Sequence, residues 1–152
     1  MLRRALRMLM AVGAAAALAG LTLRSLLTSR GGPDSDEIDL VAVFEGLHLR
    51  SSSSAFMGGS TLVLCGGLML DLRRAALGPT GATLRVITVC GGTSIVTPPD
   101  WRIETDVRTW VGGLDLSHDQ PDDPDLPILR IRARTCLGGF QVESRPRLEA
   151  VS

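Results

Sequence analysis

A pair of adjacent glycines returns along this chain, each time behind apolar residues. The copies are Phe56-Met57-Gly58-Gly59, Leu64-Cys65-Gly66-Gly67, Val89-Cys90-Gly91-Gly92, Trp110-Val111-Gly112-Gly113 and Cys136-Leu137-Gly138-Gly139, with a degenerate one at Val43-Phe44-Glu45-Gly46. From Gly67 to Gly92, Gly113 and Gly139 the intervals are 25, 21 and 26 residues. Such intervals suit one coil of a solenoid, in which each repeat buries its apolar face against its neighbours. A strand that turns sharply needs positive φ or close backbone approach, and a Cβ resists both. Each pair is therefore expected to mark a corner, with the apolar residue just before it packing inward. Leu77-Gly78-Pro79-Thr80-Gly81-Ala82 and Val96-Thr97-Pro98-Pro99-Asp100-Trp101 read as turns that feed new strands. An antiparallel sandwich with glycine-rich hairpins is the competing arrangement.

The segments between the glycines carry β periodicity. Trp101 to Arg108 alternates strictly, with Arg102, Glu104, Asp106 and Arg108 opposed to Ile103, Thr105 and Val107. Pro127 to Cys136 repeats the pattern, with Arg130, Arg132 and Arg134 opposed to Leu129, Ile131 and Ala133. No helical periodicity of useful length appears after Ile38. The expected fold is mainly β, a β-solenoid or β-helix-like repeat domain with Gly-Gly corners, preceded by one N-terminal hydrophobic helix.

That helix is expected in residues 1–30. Met8 to Leu23 holds no charge, and Arg3, Arg4 and Arg7 precede it. Sixteen residues rise only about 24 Å as a helix, short of a roughly 30 Å hydrocarbon core, but Arg24 can snorkel and extend the span through Leu26 and Leu27. The segment reads as a single-pass anchor in the cell membrane, or alternatively as a cleaved signal, since Ala17-Leu18-Ala19 fits a cleavage site. Three arginines before it and two after give only a slight bias toward an external carboxyl-terminal domain. Residues 31–37 read as a linker, 38–145 as the β-repeat domain and 146–152 as a tail.

Of the 152 residues, 45% are apolar and 21% charged, which fits one folded domain and not a disordered chain. The formal net charge of zero hides an asymmetry: Met1 to Arg30 carries five arginines and no acid, so the remainder is net acidic. With few aromatics as well, this part lacks the basic face and stacking platform that nucleic acid requires.

No catalytic, cofactor or metal site is expected. Cys65, Cys90 and Cys136 each sit beside a glycine pair without a Cys-x-x-Cys partner. Stacked coils would bring Cys65 next to Cys90, either as a disulfide or as two small hydrophobes in an apolar row. His48 alternates with Leu47 and Leu49 and reads as a solvated strand residue. Ser117-His118-Asp119 is contiguous and so is not a triad, whose groups must converge in space. The acidic run after it lacks the ligand spacing of a calcium loop. Ser51 to Ser54 reads as a loop.

Several of these residues together resemble the carboxyl-terminal domain of the cell-wall-active antibiotics response family, the LiaF-like domain. The resemblance rests on Ser35 to Phe44, the Gly-Gly copies, Leu70-Asp71-Leu72-Arg73, Gly81-Ala82-Thr83-Leu84 and Pro98 to Glu104, spanning roughly Asp36 to Glu143. It implies a β-helix-like domain without enzyme activity, in a family that restrains a membrane sensor kinase during envelope stress. Cys65 and Cys90 stand where that family usually has Phe, and one short hydrophobic segment replaces its several membrane helices. The function expected is thus a non-enzymatic, membrane-tethered interaction or regulatory module whose partner is a membrane protein or a second copy of itself. The alternatives are a self-assembling envelope scaffold and a cell-wall-acting enzyme using acids such as Asp71, Asp100 and Asp106.

Overall fold

The computed structural model describes residues 30–118 and 121–148, so the hydrophobic helix expected in residues 1–30 lies, but for Arg30, outside the described residues. Among the described residues, no helix is long and apolar enough to cross a membrane. The regular elements are strands: β1 (Glu37–Ala42), β2 (Gly46–Arg50), β3 (Gly58–Asp71), β4 (Ala82–Thr97), β5 (Arg102–Val111), β6 (Leu114–Ser117) and β7 (Ile128–Ser144). All their pairings are parallel, so the mainly β class holds and the antiparallel sandwich does not.

Seven strands make five layers. β3, β4 and β7 each run through their own glycine pair. β1 pairs with the first half of β3 and β2 with its second half, so together they form one layer interrupted at Val43, Phe44 and Glu45. β5 and β6 stand in the same relation to β7. The order across the sheet is β1/β2, β3, β4, β7, β5/β6. It departs from chain order: after β4 the chain builds the outermost layer, then returns to place β7 inside it.

Alternation sorts each half-strand into a packed and a wet side. Leu40, Thr61, Val86 and Ala133 stack across four layers before the corner, and Leu68, Thr93 and Phe140 stack after it. These seven residues are all buried. The two arms of a layer face each other across this interior. Thr88 and Thr93, on either side of Gly91-Gly92, are hydrogen-bonded hydroxyl to hydroxyl at 2.8 Å. Phe56, Leu72 and Trp101 from the turns are buried and fill the rest, each contributing about 1.5 to 3 kcal/mol of apolar burial.

The two glycines of a pair inside a layer do different jobs, whereas at Gly58-Gly59, where β3 begins, both have positive φ and both face neighbouring backbone. Gly91 has φ 130°, and a Cβ there would overlap the Gly66 carbonyl oxygen of the neighbouring layer. Gly138 stands in the same relation to Gly91. The second glycine meets no such obstacle: a Cβ on Gly92 would be 3.9 Å from the Gly139 carbonyl oxygen, and one on Gly139 would meet nothing within 4 Å. The corner thus needs only the first.

The residue before each pair was expected to pack inward, and here the structure corrects the sequence reading. Leu137 is 49% exposed, Val111 62%, and Phe44, which precedes the degenerate pair, 59%. The ladder skips the position one residue earlier, between Thr88↔Thr135 and Cys90↔Leu137, so two successive residues turn outward at each corner. Val89 and Cys90 are both exposed, as are Trp110 and Val111.

The Ser51 to Ser54 loop alternates, with Ser51 and Ser53 buried and Ser52 and Ser54 exposed. The Ser53 hydroxyl donates to Asp36 at 2.6 Å, and the Ser52 amide donates to the Pro33 carbonyl at 2.7 Å. Residues 31–37 thereby lie against this loop. At the other end, Arg147 donates to Asp100 at 2.7 Å and to the Ala75 carbonyl at 2.9 Å.

Candidate functional site

The row of second glycines makes a groove. Gly46, Gly67, Gly92, Gly139 and Gly113 come from successive layers, and without side chains they leave a concavity of about 800 Å³ that crosses the whole sheet. One wall is built two residues further on by His48, Met69, Ser94, Gln141 and Asp115. Leu68, Thr93 and Phe140, between floor and wall in sequence, are buried.

The wall presents one side chain from each layer. Its titratable members, His48 and Asp115, belong to the two outermost layers. Four strand spacings separate them, about 19 Å, beyond the reach of a shared proton or a shared metal ion. The acids named for wall hydrolysis do not converge either. Asp71, buried at the end of β3, accepts from Arg50 at 3.3 Å and from Arg73 at 2.9 Å. Asp100 is held by Arg147, and Asp106 lies in register with Arg132 on the outer face. Among the described residues, no group of three His, Cys, Asp or Glu side chains could hold a metal ion.

The two alternating charged strands lie side by side. Glu104 and Asp106 of β5 lie in register with Arg130 and Arg132 of β7, and Arg130 donates to Glu104 at 3.0 Å. Both partners are half exposed, so this pair is worth little to stability. His48 is exposed between half-buried Leu47 and Leu49, as its alternation implied. Asp119 and Gln120, beside His118, lie outside the described residues.

The sequence reading missed the groove because it gave both glycines of a pair the same task. Aligning the repeats on the first glycine would have exposed the signal: the residues two beyond the second glycine, His48, Met69, Ser94, Gln141 and Asp115, form one row.

No family model matches the chain, and no solved structure matches it. Two curated relatives do match. The chain is 27% identical over 108 residues to the uncharacterized protein Rv0966c of Mycobacterium tuberculosis strain H37Rv, covering 71% of this chain and 54% of that protein. The same figures describe its similarity to the uncharacterized protein MT0994 of Mycobacterium tuberculosis strain CDC 1551. The chain thus spans about half the length of the curated relatives it matches.

Cys65 and Cys90 are in register on adjacent strands, and both thiols are free. Burial, and after it the neighbouring Cys90, pushes the Cys65 thiol above its ordinary value. A raised pKa lowers the thiolate fraction and so the alkylation rate. Iodoacetamide at mildly alkaline pH is expected to label Cys65 more slowly than a free cysteine peptide. Cys90→Ser should speed that labelling by removing the second cause, and peptide mass mapping measures both rates. An unchanged Cys65 rate in the variant would show that Cys90 plays no part.

Proposed function

We propose that this chain is a non-enzymatic interaction module: a β-solenoid-like domain with its last two coils exchanged in space, held at the cell membrane by its N-terminal segment. It acts in the cell-envelope stress response as a member of the LiaF-like class, and its partner is a membrane protein. The observation that carries this reading is the groove itself. Its floor is bare backbone and its wall offers one side chain per layer, which suits an extended segment of a partner laid across the strands. The recurring glycine pairs and the LiaF-like motifs at Ser35 to Phe44 and Pro98 to Glu104 support the class.

The test fills the groove without touching the corner. Gly92→Met with Gly139→Met places two side chains in the concavity at positions open to a Cβ. The doubly substituted protein is expected to keep its β-rich circular dichroism and to unfold within a few degrees of the parent. In the host it should fail to restore the response to wall-active antibiotics that the parent restores in a deletion strain. A folded, groove-filled variant that restores the response fully would refute the reading.

A further inference from the structure

On the first halves of the layers, the outward rows change character as they approach the corner. One row reads Asp39, Ser60, Arg85, Arg132, Asp106, and the next reads Val41, Leu62, Ile87, Arg134, Arg108. One step on come Leu64, Val89, Cys136 and Trp110, and the crest of the corner carries Phe44, Cys65, Cys90, Leu137 and Val111. An apolar ridge therefore runs across all five layers, about 19 Å at the spacing of parallel strands. Trp110 is 83% exposed on it.

The charges beside this ridge are mostly of one sign. Ile87, Val89, Trp110, Arg108 and Arg134 line one recess of about 220 Å³, which puts the indole and two guanidinium groups in a single place. An adjoining recess of about 330 Å³ is lined by Arg85, Arg132, Arg134 and Asp106. Four arginines thus share these two rows with two carboxylates, Asp39 and Asp106, of which only Asp106 lines either recess, although the chain beyond Arg30 is net acidic.

We propose that this face docks on a bilayer surface containing anionic phospholipid. Trp110 and the ridge sit at the boundary between headgroups and acyl chains, and Arg85, Arg108, Arg132 and Arg134 meet the lipid phosphates. Tryptophan is favoured at that depth, and arginine reaches phosphate from an apolar contact by extending its stem. A convex ridge as long as the sheet is wide meets a flat surface along its length, whereas it encloses no small molecule. A second copy in the same pose would bring eight guanidinium groups together. The groove on the other side of the corner stays open, so docking is independent of what fills it.

The protein carries its own probe. Trp101 is buried and Trp110 exposed, so a lipid-dependent change in tryptophan emission reports Trp110. The full chain would be reconstituted into phosphatidylcholine vesicles with and without phosphatidylglycerol, each also prepared with brominated acyl chains. With phosphatidylglycerol the emission is expected to shift to the blue and to be quenched by bromine. Trp110→Phe should abolish both effects. Arg108→Ser with Arg134→Ser should lower the docked-to-free ratio roughly twenty-five-fold, from about fivefold for each arginine near an anionic surface. High salt should reverse the shift in the unaltered protein, a control that needs no substitution. Trp110 remaining open to aqueous acrylamide and unquenched by bromine in anionic vesicles overturns the proposal and leaves a protein partner for this face. Equal quenching in vesicles without phosphatidylglycerol overturns it as well.

Discussion

Gly91→Val is expected to unfold the domain, while Gly92→Ala leaves it standing. The two positions are adjacent, but only Gly91 combines φ 130° with a Cβ position overlapping the backbone of the next layer. A side-chain residue held at such a φ costs about 1 to 3 kcal/mol. The overlap adds more, because the obstructing Gly66 carbonyl belongs to a paired strand and cannot yield without opening the ladder. A total of at least about 4 kcal/mol is a large fraction of the stability of a domain this size. At Gly92 a methyl group enters the open groove, and the loss of glycine's freedom in the unfolded chain stabilises by up to about 1 kcal/mol. Urea titrations of the two variants followed by circular dichroism measure the contrast, and indistinguishable midpoints would remove the division of labour within the pair.

Asp71→Ala is expected to cost about 2 to 4 kcal/mol, since it leaves partly buried Arg73 without the carboxylate that faces it. Burial on its own would raise the Asp71 pKa. Hydrogen bonds and charge from Arg73, with a further bond from Arg50, outweigh it and hold the carboxyl below its ordinary value. A carboxyl lowered in the folded state stabilises fully above its unfolded pKa of about 3.9 and stops doing so as pH falls through the folded value. The stability gap between the parent and Asp71→Ala should therefore be widest near neutrality and should narrow below about pH 4. Urea midpoints measured across that range test it. A gap independent of pH would mean that the carboxylate's charge contributes nothing.

The strands and their corners were legible because they rest on local physics. Alternation from Trp101 to Arg108 and from Pro127 to Cys136 needs only the period of a pleated strand, and all but the first residue of each segment lie in β5 and β7. The layer order was hidden because intervals of 25, 21 and 26 residues are compatible with any stacking of equivalent repeats. The outward turn of Leu137 and Val111 depends on a break in the ladder, which alternation alone does not show. Ser51 and Ser53 look like solvent-facing loop residues in composition, yet their burial is fixed by Pro33 and Asp36, more than fifteen residues earlier. The groove is a product of register between layers, so it becomes visible only once Gly67, Gly92 and Gly139 are aligned.

The exchange of the last two layers decides what the molecule shows at its open edges. A parallel stack invites head-to-tail growth into fibres wherever an edge strand offers unpaired backbone, and on β1 the Arg30 backbone already pairs with Asp39. Had the layers followed chain order, β7 would form the far edge and present Arg130 and Arg132. Continuing the sheet register into a second molecule would set these against Glu37 and Asp39 of its β1, a complementary join. With β5 outermost, the same join sets Glu104 against Glu37 and Asp106 against Asp39. Like charges directly opposed across strands disfavour pairing by several tenths of a kcal/mol to about 1 kcal/mol each. The out-of-sequence return of β7 thus keeps the arginine strand inside and leaves Glu37 and Asp39 on one outer strand and Glu104 and Asp106 on the other, so that like charges oppose any edge-to-edge join in register while Arg30 already occupies the β1 backbone at Asp39.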